Sequence, residues 1–501
     1  MSSIKPQQSQ YLFDNIQNKE LIKKGAFIDG KWLESSDSKE TFDVKDPATG
    51  DLIATLPDNS LKEVDQAILC ADKAFHDSYK NSAPRERSQW LLKLYTLMME
   101  NIDDLAKIIT LENGKALTDS MSEVKYAASY FQWYSEEAPR MYGATIQSSI
   151  STNRVFTIRQ PVGVCAIICP WNFPSAMITR KAAAALATGC TVVVKPDHET
   201  PLSALALAAL VEKAGFPPGV FNVIVSGART SDIGTRLCES SLIKKLSFTG
   251  STRVGKILMQ QSSSNIKKLS LELGGNAPFI VFEDADIQKA VEQLILCKFR
   301  GLGQTCVCAN RVYVQANILD RFVSLLKEKV SGFKIGHGLL SETTHGCLIN
   351  KQTLEKVEKH KHDAIEKGAT VVINGGPLPD LGSTFYEPCI LTNVPRNALV
   401  SKEETFGPLC PIFTFDTMDE VIKTANDTEF GLASYVFSKD INTVFKMAES
   451  LEAGMVSCNT GMFSDAAIPF GGIKESGFGR EGSLYGIEDY TVIKTVNIST
   501  L

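Results

Sequence analysis

The 501-residue chain predicts an α/β protein: a doubly wound parallel sheet with helices on both faces, followed by a second α/β domain. Three observations carry this. From Pro161 onward, short continuous apolar runs alternate with helical segments, the pattern of strands buried on both faces. The helices between those runs close on Gly189 and Gly215, residues suited to the left-handed turn that ends a helix. The length also exceeds what one hydrophobic core sustains, so two or three domains are expected.

Residues 1 to about 20 are polar and predict no packed element. FIDGKW (Phe27–Trp32) places Asp-Gly between apolar pairs, a hairpin signal, and DPATG (Asp46–Gly50) is a turn. From about 60 to 135 the apolar positions of QWLLKLYTLMMENIDDLAKIIT fall at helical spacing. VGVCAIIC is a continuous apolar strand, and AMITRKAAAALATG the helix after it. TVVVKP and PLSALALAALVEKAG repeat the unit, and FNVIV, KKLSF and KKLSLEL add strands. A second α/β stretch begins near PFIVF (Pro278–Phe282) and runs to about residue 470. The closing TVIKTVNIST alternates as a short strand does.

Hydrophobic content of 44% and charged content of 22% are those of an ordinary soluble protein. A net charge of -5 and short basic clusters flanked by acids exclude a nucleic-acid binder. No apolar run is long enough for a bilayer. The N-terminus has no apolar signal core and no arginine, so the cytoplasm is the expected compartment. Twelve cysteines at irregular spacing, several inside apolar strands, suit a reducing environment. No metal-ligand spacing is present, and KHKH (Lys359–His362) reads as a solvated helix face.

Chemistry concentrates in FRGLGQTCVCANR (Phe299–Arg311), where Cys306 follows a Gly-Gln-Thr turn, and in LELGG (Leu271–Gly275) upstream. A cysteine on a glycine-bearing loop and a glutamate in a separate glycine-rich turn suggest a thiolate nucleophile and a water-activating base. Glycines 274 and 275 would let the backbone approach the reacting centre closely. FTGSTRVG (Phe248–Gly255) runs from strand through Gly-Ser-Thr into helix, so Gly250, Ser251 and Gly255 would present backbone N–H groups and a helix dipole to a pyrophosphate. It is neither a GxGxxG fingerprint nor a P-loop.

Together with WNFP (Trp171–Pro174), ETFGP (Glu404–Pro408) and PFGG (Pro469–Gly472), these blocks resemble the aldehyde dehydrogenase superfamily over nearly the whole chain. The resemblance implies that Cys306 attacks the aldehyde and Glu272 is the general base. It also implies that Asn172, with the backbone N–H of Cys306, stabilises the oxyanion. Lys195 matches the lysine at the adenosine ribose, and Glu404 and Phe406 match the residues that hold the nicotinamide ribose and ring. His198 stands where the family usually has a glutamate, which removes a carboxylate from beside a 2′-phosphate. NADP is therefore favoured, with NAD also usable. Arg300, six residues before Cys306, and Arg180, eight after Asn172, resemble the carboxylate-binding arginines of succinate-semialdehyde dehydrogenases, and Ser464 matches that subfamily's serine. Cys308 is either a packing neighbour or the partner of a reversible Cys-x-Cys disulfide.

The expected activity is oxidation of succinate semialdehyde to succinate in 4-aminobutyrate degradation, with a longer substrate such as glutarate semialdehyde as the alternative. The expected organisation is a Rossmann-like cofactor domain from 1–145 and 161–273 and a catalytic domain from 274–470. Oligomerisation segments are expected at 146–160 and 485–501. The family's small oligomerisation sheet implies a homo-oligomer, a tetramer in the first instance with a dimer left open.

Overall fold

The computed structural model describes residues 15–499. Its first sheet has eight strands. Five of them are parallel: in spatial order Phe221–Val223, Thr191–Lys195, Val164–Ile168, Ile243–Thr249 and Lys268–Glu272. Numbered along the chain that order is 3-2-1-4-5, a doubly wound sheet that reverses between Val164–Ile168 and Ile243–Thr249. The strands are apolar on both faces because helices cover both. The expected hairpin lies at one edge, with Phe27 opposite Trp32 and left-handed Asp29 and Gly30 at the turn. At the other edge Gly477–Phe478 pairs antiparallel with Lys268–Glu272. That two-residue strand has no readable pattern and returns the chain to the first sheet after the second domain.

The second sheet has seven strands, in order Thr370–Ile373, Cys389–Thr392, Leu409–Phe415, Ala309–Gln315, Ala277–Val281, Ala433–Phe437 and Met455–Cys458. All neighbours are parallel except at the Thr370–Ile373 edge. One short connection joins the two sheets. Lys268–Glu272 is the last parallel strand of the first sheet, and Ala277–Val281, the first strand of the second in chain order, follows after four residues. The carboxyl ends of the first sheet's strands therefore face the amino ends of the second's.

A third, antiparallel sheet joins Thr145–Ile146, Asn153–Pro161 and Thr491–Ser499, with Thr491 opposite Pro161 and Ser499 opposite Asn153. Ile493 and Ile498 stand exposed on its last strand. The four helices Leu61–Asp77, Pro84–Glu100, Ile102–Asn113 and Leu117–Glu137 fill the expected helical region. Among the described residues no helix is long and apolar enough to cross a membrane.

Candidate active site

The LELGG connection brings Glu272 to Cys306. A Cβ on Gly275 would stand 2.5 Å from the Cys306 carbonyl oxygen, so only glycine lets the two segments touch. Cys306 Sγ lies 3.0 Å from Glu272 Oε1 and donates to it. The other carboxylate oxygen accepts from Thr249 Oγ1 at 2.9 Å and from Arg180 Nη2. Burial and the neighbouring Glu272 push the Cys306 thiol well above its ordinary value, against the pull of Arg180. Cys306 is therefore held as a thiol, with a carboxylate oxygen in reach of its proton.

WNFP follows the strand Val164–Ile168 at the point where the sheet reverses. Glu123 Oε1 accepts from the backbone N–H groups of Ser175 and Ala176 at 2.9 and 3.3 Å, satisfying donors at the start of helix Ala176–Thr188. Lys115 Nζ bonds Glu123 at 2.7 Å and the Asn172 carbonyl at 2.6 Å. That buried pair fixes the Asn172 backbone, and Asn172 Nδ2 donates to the Gln304 carbonyl at 3.1 Å. Asn172 is thereby tied to the turn that carries Cys306.

Two cavities adjoin at Trp171 and Asn172, which line both. One, of about 260 Å³, is lined by Cys306, Gly250, Ser251, Glu404 and Phe406. Ser251 caps helix Thr252–Ser262, its Oγ accepting from Val254 N at 3.4 Å, so that helix N-terminus borders the cavity. Gly250 and Gly255 pack closely, since added Cβ atoms would stand 2.4 Å from the Phe248 ring and 2.5 Å from a Leu273 methyl. Glu404 accepts from Gly275 N at 3.0 Å, and burial raises its carboxyl to about 7. Phe406 adopts left-handed φ of 57° and meets Trp171 edge-on.

At the carboxyl end of Thr191–Lys195, Lys195 Nζ bonds the Pro196 carbonyl and Thr230 Oγ1 at 3.0 and 3.1 Å, and burial lowers its titration. His198 is half exposed, with Nδ1 3.0 Å from Asp197, whose hydrogen bond raises the imidazole. A strand-reversal crevice, a helix N-terminus, a lysine and a histidine in place of a carboxylate together fit a dinucleotide, and a 2′-phosphorylated one as readily as not.

The second cavity, of about 410 Å³, is lined by Arg300, Ser464, Thr305 and Phe173. Arg300 opens a turn in which Gly301, Leu302 and Gly303 all have positive φ, of 55, 54 and 76°. Asp119 holds that turn by accepting from Gly301 N at 3.0 Å. The Arg300 Nε is buried without a partner, and its guanidinium lies 5.3 Å from the Phe173 ring centre. A half-buried guanidinium whose Nε has no partner suits an anion.

Arg180 departs from expectation. It does not line this cavity: its side chain is 1% exposed and committed to Glu272 and Glu481. The cause is the helix Ala176–Thr188, buried throughout, which turns position 180 toward Thr249 and Glu272. Cys308 is buried behind the loop, where Lys298 Nζ donates to its sulfur at 3.5 Å, and all twelve cysteines are unbridged. The KHKH reading is corrected too. His360 is fully buried between Thr405 and Glu403, at 3.1 and 3.2 Å, and braces the segment that carries Glu404. Sequence reading also misses Glu481, Lys181, Lys115 and Glu123, which are separated in the chain from the groups they hold.

A thiol that donates to a buried carboxylate thus lies beside the reversal point of a doubly wound sheet, the kind of crevice in which such sheets bind ligands. The sequence profile of the Aldehyde dehydrogenase family matches residues 32–496, and the chain belongs to that family. It is 66% identical to a Saccharomyces cerevisiae protein named succinate-semialdehyde dehydrogenase (NADP+), covering 98% of this chain and 99% of that relative. It is 52% identical to glutarate-semialdehyde dehydrogenase of Pseudomonas aeruginosa, covering 96% and 98%. The crystal structure of an NADP-dependent enzyme from Escherichia coli matches with a TM-score of 0.95 at 50% identity, covering 97% of this chain and 100% of that one.

Proposed function

We propose that the protein oxidises succinate semialdehyde to succinate with NADP, and with NAD less readily, in the degradation of 4-aminobutyrate. The observation that carries the reading is the unpaired Arg300 guanidinium, in a cavity that adjoins the cysteine site and is lined also by Ser464. An aldehyde whose far end is a carboxylate satisfies that charge. The relatives of similar length and the Escherichia coli structure support the substrate class and the cofactor.

The substrate carboxylate pairs with Arg300 and Ser464, which directs the aldehyde carbon toward Cys306. Cys306 Sγ adds to the carbonyl carbon while Glu272 Oε1 takes the thiol proton. The oxygen gains negative charge and is met by Asn172 Nδ2, a donor worth about 3 kcal/mol of barrier in comparable sites. Lys195, His198, Gly250, Ser251, Glu404 and Phe406 would hold NADP, which would supply the hydride acceptor beside that tetrahedral carbon. Cys306 is then acylated; once Glu272 has passed the thiol proton to solvent, its carboxylate takes a proton from the water that attacks the thioester and returns it to the departing Cys306 thiolate, releasing succinic acid, which ionises to succinate. Phe406 and Trp171 meet edge-on at the cavity wall.

A longer substrate has its own support: the Pseudomonas aeruginosa relative is named for glutarate semialdehyde, and a cavity of about 410 Å³ has room for either length. The exposed apolar face of the third sheet would dock a second copy, giving a homo-oligomer. The test is a steady-state assay of four- and five-carbon semialdehydes with NADP and NAD in parallel, with Cys306→Ala as the inactive control. The four-carbon substrate with NADP should show the highest kcat/KM. Absence of aldehyde-dependent cofactor reduction would refute the reading.

A further inference from the structure

His360 does not line the cofactor cavity, yet its helix forms part of the wall. Thr353 and Lys356 of the helix Lys351–Glu366 line that cavity with Cys306, Glu404 and Phe406, and His360 follows one turn later, fully buried. Three other buried positions of the helix, Leu354, Val357 and Ala364, are apolar. A histidine among them costs free energy unless both ring nitrogens are met. Both are: Nδ1 lies 3.1 Å from Thr405 Oγ1, and Nε2 lies 3.2 Å from Glu403 Oε2. A carboxylate accepts, so Nε2 carries the ring proton and Nδ1 accepts from the threonine hydroxyl. Burial and the charge of Lys356 hold the imidazole below its ordinary titration, which favours this neutral form.

The two residues it bonds flank Glu404. The backbone N–H of Thr405 donates to Asn310 Oδ1 at 3.2 Å, and Asn310 Nδ2 donates to the Glu403 carbonyl at 3.0 Å. One residue on, Phe406 has φ of 57°, a left-handed conformation that an aromatic residue keeps only where its neighbours are fixed. The helix presses on the next residue too, since a Cβ on Gly407 would stand 2.3 Å from Val357 Cγ2. Residues 403–407 are thus set from behind by the helix, and Glu404 and Phe406 are presented to the cavity.

We propose that His360 is a positioning residue for the nicotinamide half of the cofactor: by holding Glu403 and Thr405 it fixes the Glu404 carboxylate and the Phe406 ring, without touching the cofactor itself. This rests on the reading above, in which Glu404 and Phe406 would hold that half. A histidine that served packing alone would be replaceable by an apolar side chain of similar size. One that positions Glu404 and Phe406 affects hydride transfer and leaves the adenosine half of the site alone.

His360→Leu removes both hydrogen bonds, and His360→Gln keeps an amide able to donate to Glu403 and accept from Thr405. Binding of NADP and of 2′,5′-ADP, which lacks the nicotinamide half, is measured by calorimetry, and the burst of reduced cofactor by rapid mixing with succinate semialdehyde. In His360→Leu the Kd for NADP should rise by about tenfold while that for 2′,5′-ADP stays within about threefold of the wild type. The burst at saturating NADP should slow by about tenfold, and His360→Gln should restore it to within about threefold. Thr405→Val, which deletes only the hydroxyl that donates to Nδ1, should slow the burst by at least about threefold, so the proposal stays testable where His360→Leu does not fold. A wild-type burst in His360→Leu or in Thr405→Val would overturn it. Equal weakening of NADP and 2′,5′-ADP would overturn it too, because the damage would then reach the whole cofactor site. Failure of the wild type to bind NADP would instead refute the underlying reading, and the proposal with it.

Discussion

Replacing Gly275 with alanine tests whether the meeting of the two sheets sets the position of the nucleophile. The new Cβ would lie 2.5 Å from the Cys306 carbonyl oxygen, whereas ordinary contact begins at 3.4 Å. The segments must part by about 0.9 Å, and neither can yield alone. Gly275 N is bonded to Glu404 at 3.0 Å, and Cys306 opens the approach to the second-sheet strand Ala309–Gln315. A shift of about 1 Å in a reacting group costs about a hundredfold in rate. Overpacking of this kind also costs about 1–3 kcal/mol of stability, so the thermal midpoint should fall by a few degrees without loss of the fold. The assay is rapid mixing of enzyme, cofactor and succinate semialdehyde, followed by the absorbance of reduced cofactor. Both the burst and the steady rate should drop by about a hundredfold, because attack by Cys306 precedes every later step. A full burst with turnover within about threefold of the wild type would show that Gly275 does not set the cysteine's position.

Glu272→Gln should still release one equivalent of reduced cofactor, more slowly than the wild type, and then turn over at least about a hundredfold more slowly, since water activation is lost. Loss of the burst altogether would contradict that order of steps. Arg300→Gln should raise KM for succinate semialdehyde by about ten- to a hundredfold while leaving butanal unaffected, an equal loss on both substrates being the refuting result. His198→Glu should raise KM for NADP by about ten- to a hundredfold and lower or leave unchanged that for NAD, because a like charge would meet the 2′-phosphate. The pH profile follows the same sign. The hydrogen bond to Asp197 raises the His198 titration, so the cationic imidazole persists to higher pH. KM for NADP should rise as that charge is lost, and KM for NAD should not. Parallel pH profiles for the two cofactors would remove His198 from the 2′-phosphate site.

The strands of the first sheet are legible because burial on both faces demands unbroken apolar runs, and VGVCAIIC and TVVVKP have them. The hairpin at Asp29-Gly30 is legible because its turn needs two left-handed residues, which Asp-Gly supplies. Gly477–Phe478 is not, because two residues have no period and pairing alone defines them. His360 is a different kind of miss. Its helix, Lys351–Glu366, buries Leu354, Val357, Lys361 and Ala364 with it, a helical stripe that the sequence displays. The lysines around it mask that stripe, although a lysine stem packs along an apolar face as readily as it extends into water.

Arg180 and Arg300 mark the limit of reading a site from offsets. Both are arginines at family spacings from the reacting residues, and both lie close to the site. Their roles diverge because of what else the fold delivers to them. Arg300 sits on a turn of left-handed residues that carries its side chain into a cavity without an acidic partner for Nε. Arg180 sits on a buried helix that delivers it to Glu272 and Glu481, 92 and 301 residues away in the chain. A buried guanidinium takes whichever carboxylates the tertiary structure brings within reach, because leaving it unpaired is far costlier than any local preference. Among the described residues Arg180 is therefore paired with Glu272 and Glu481, and Arg300 has no carboxylate partner.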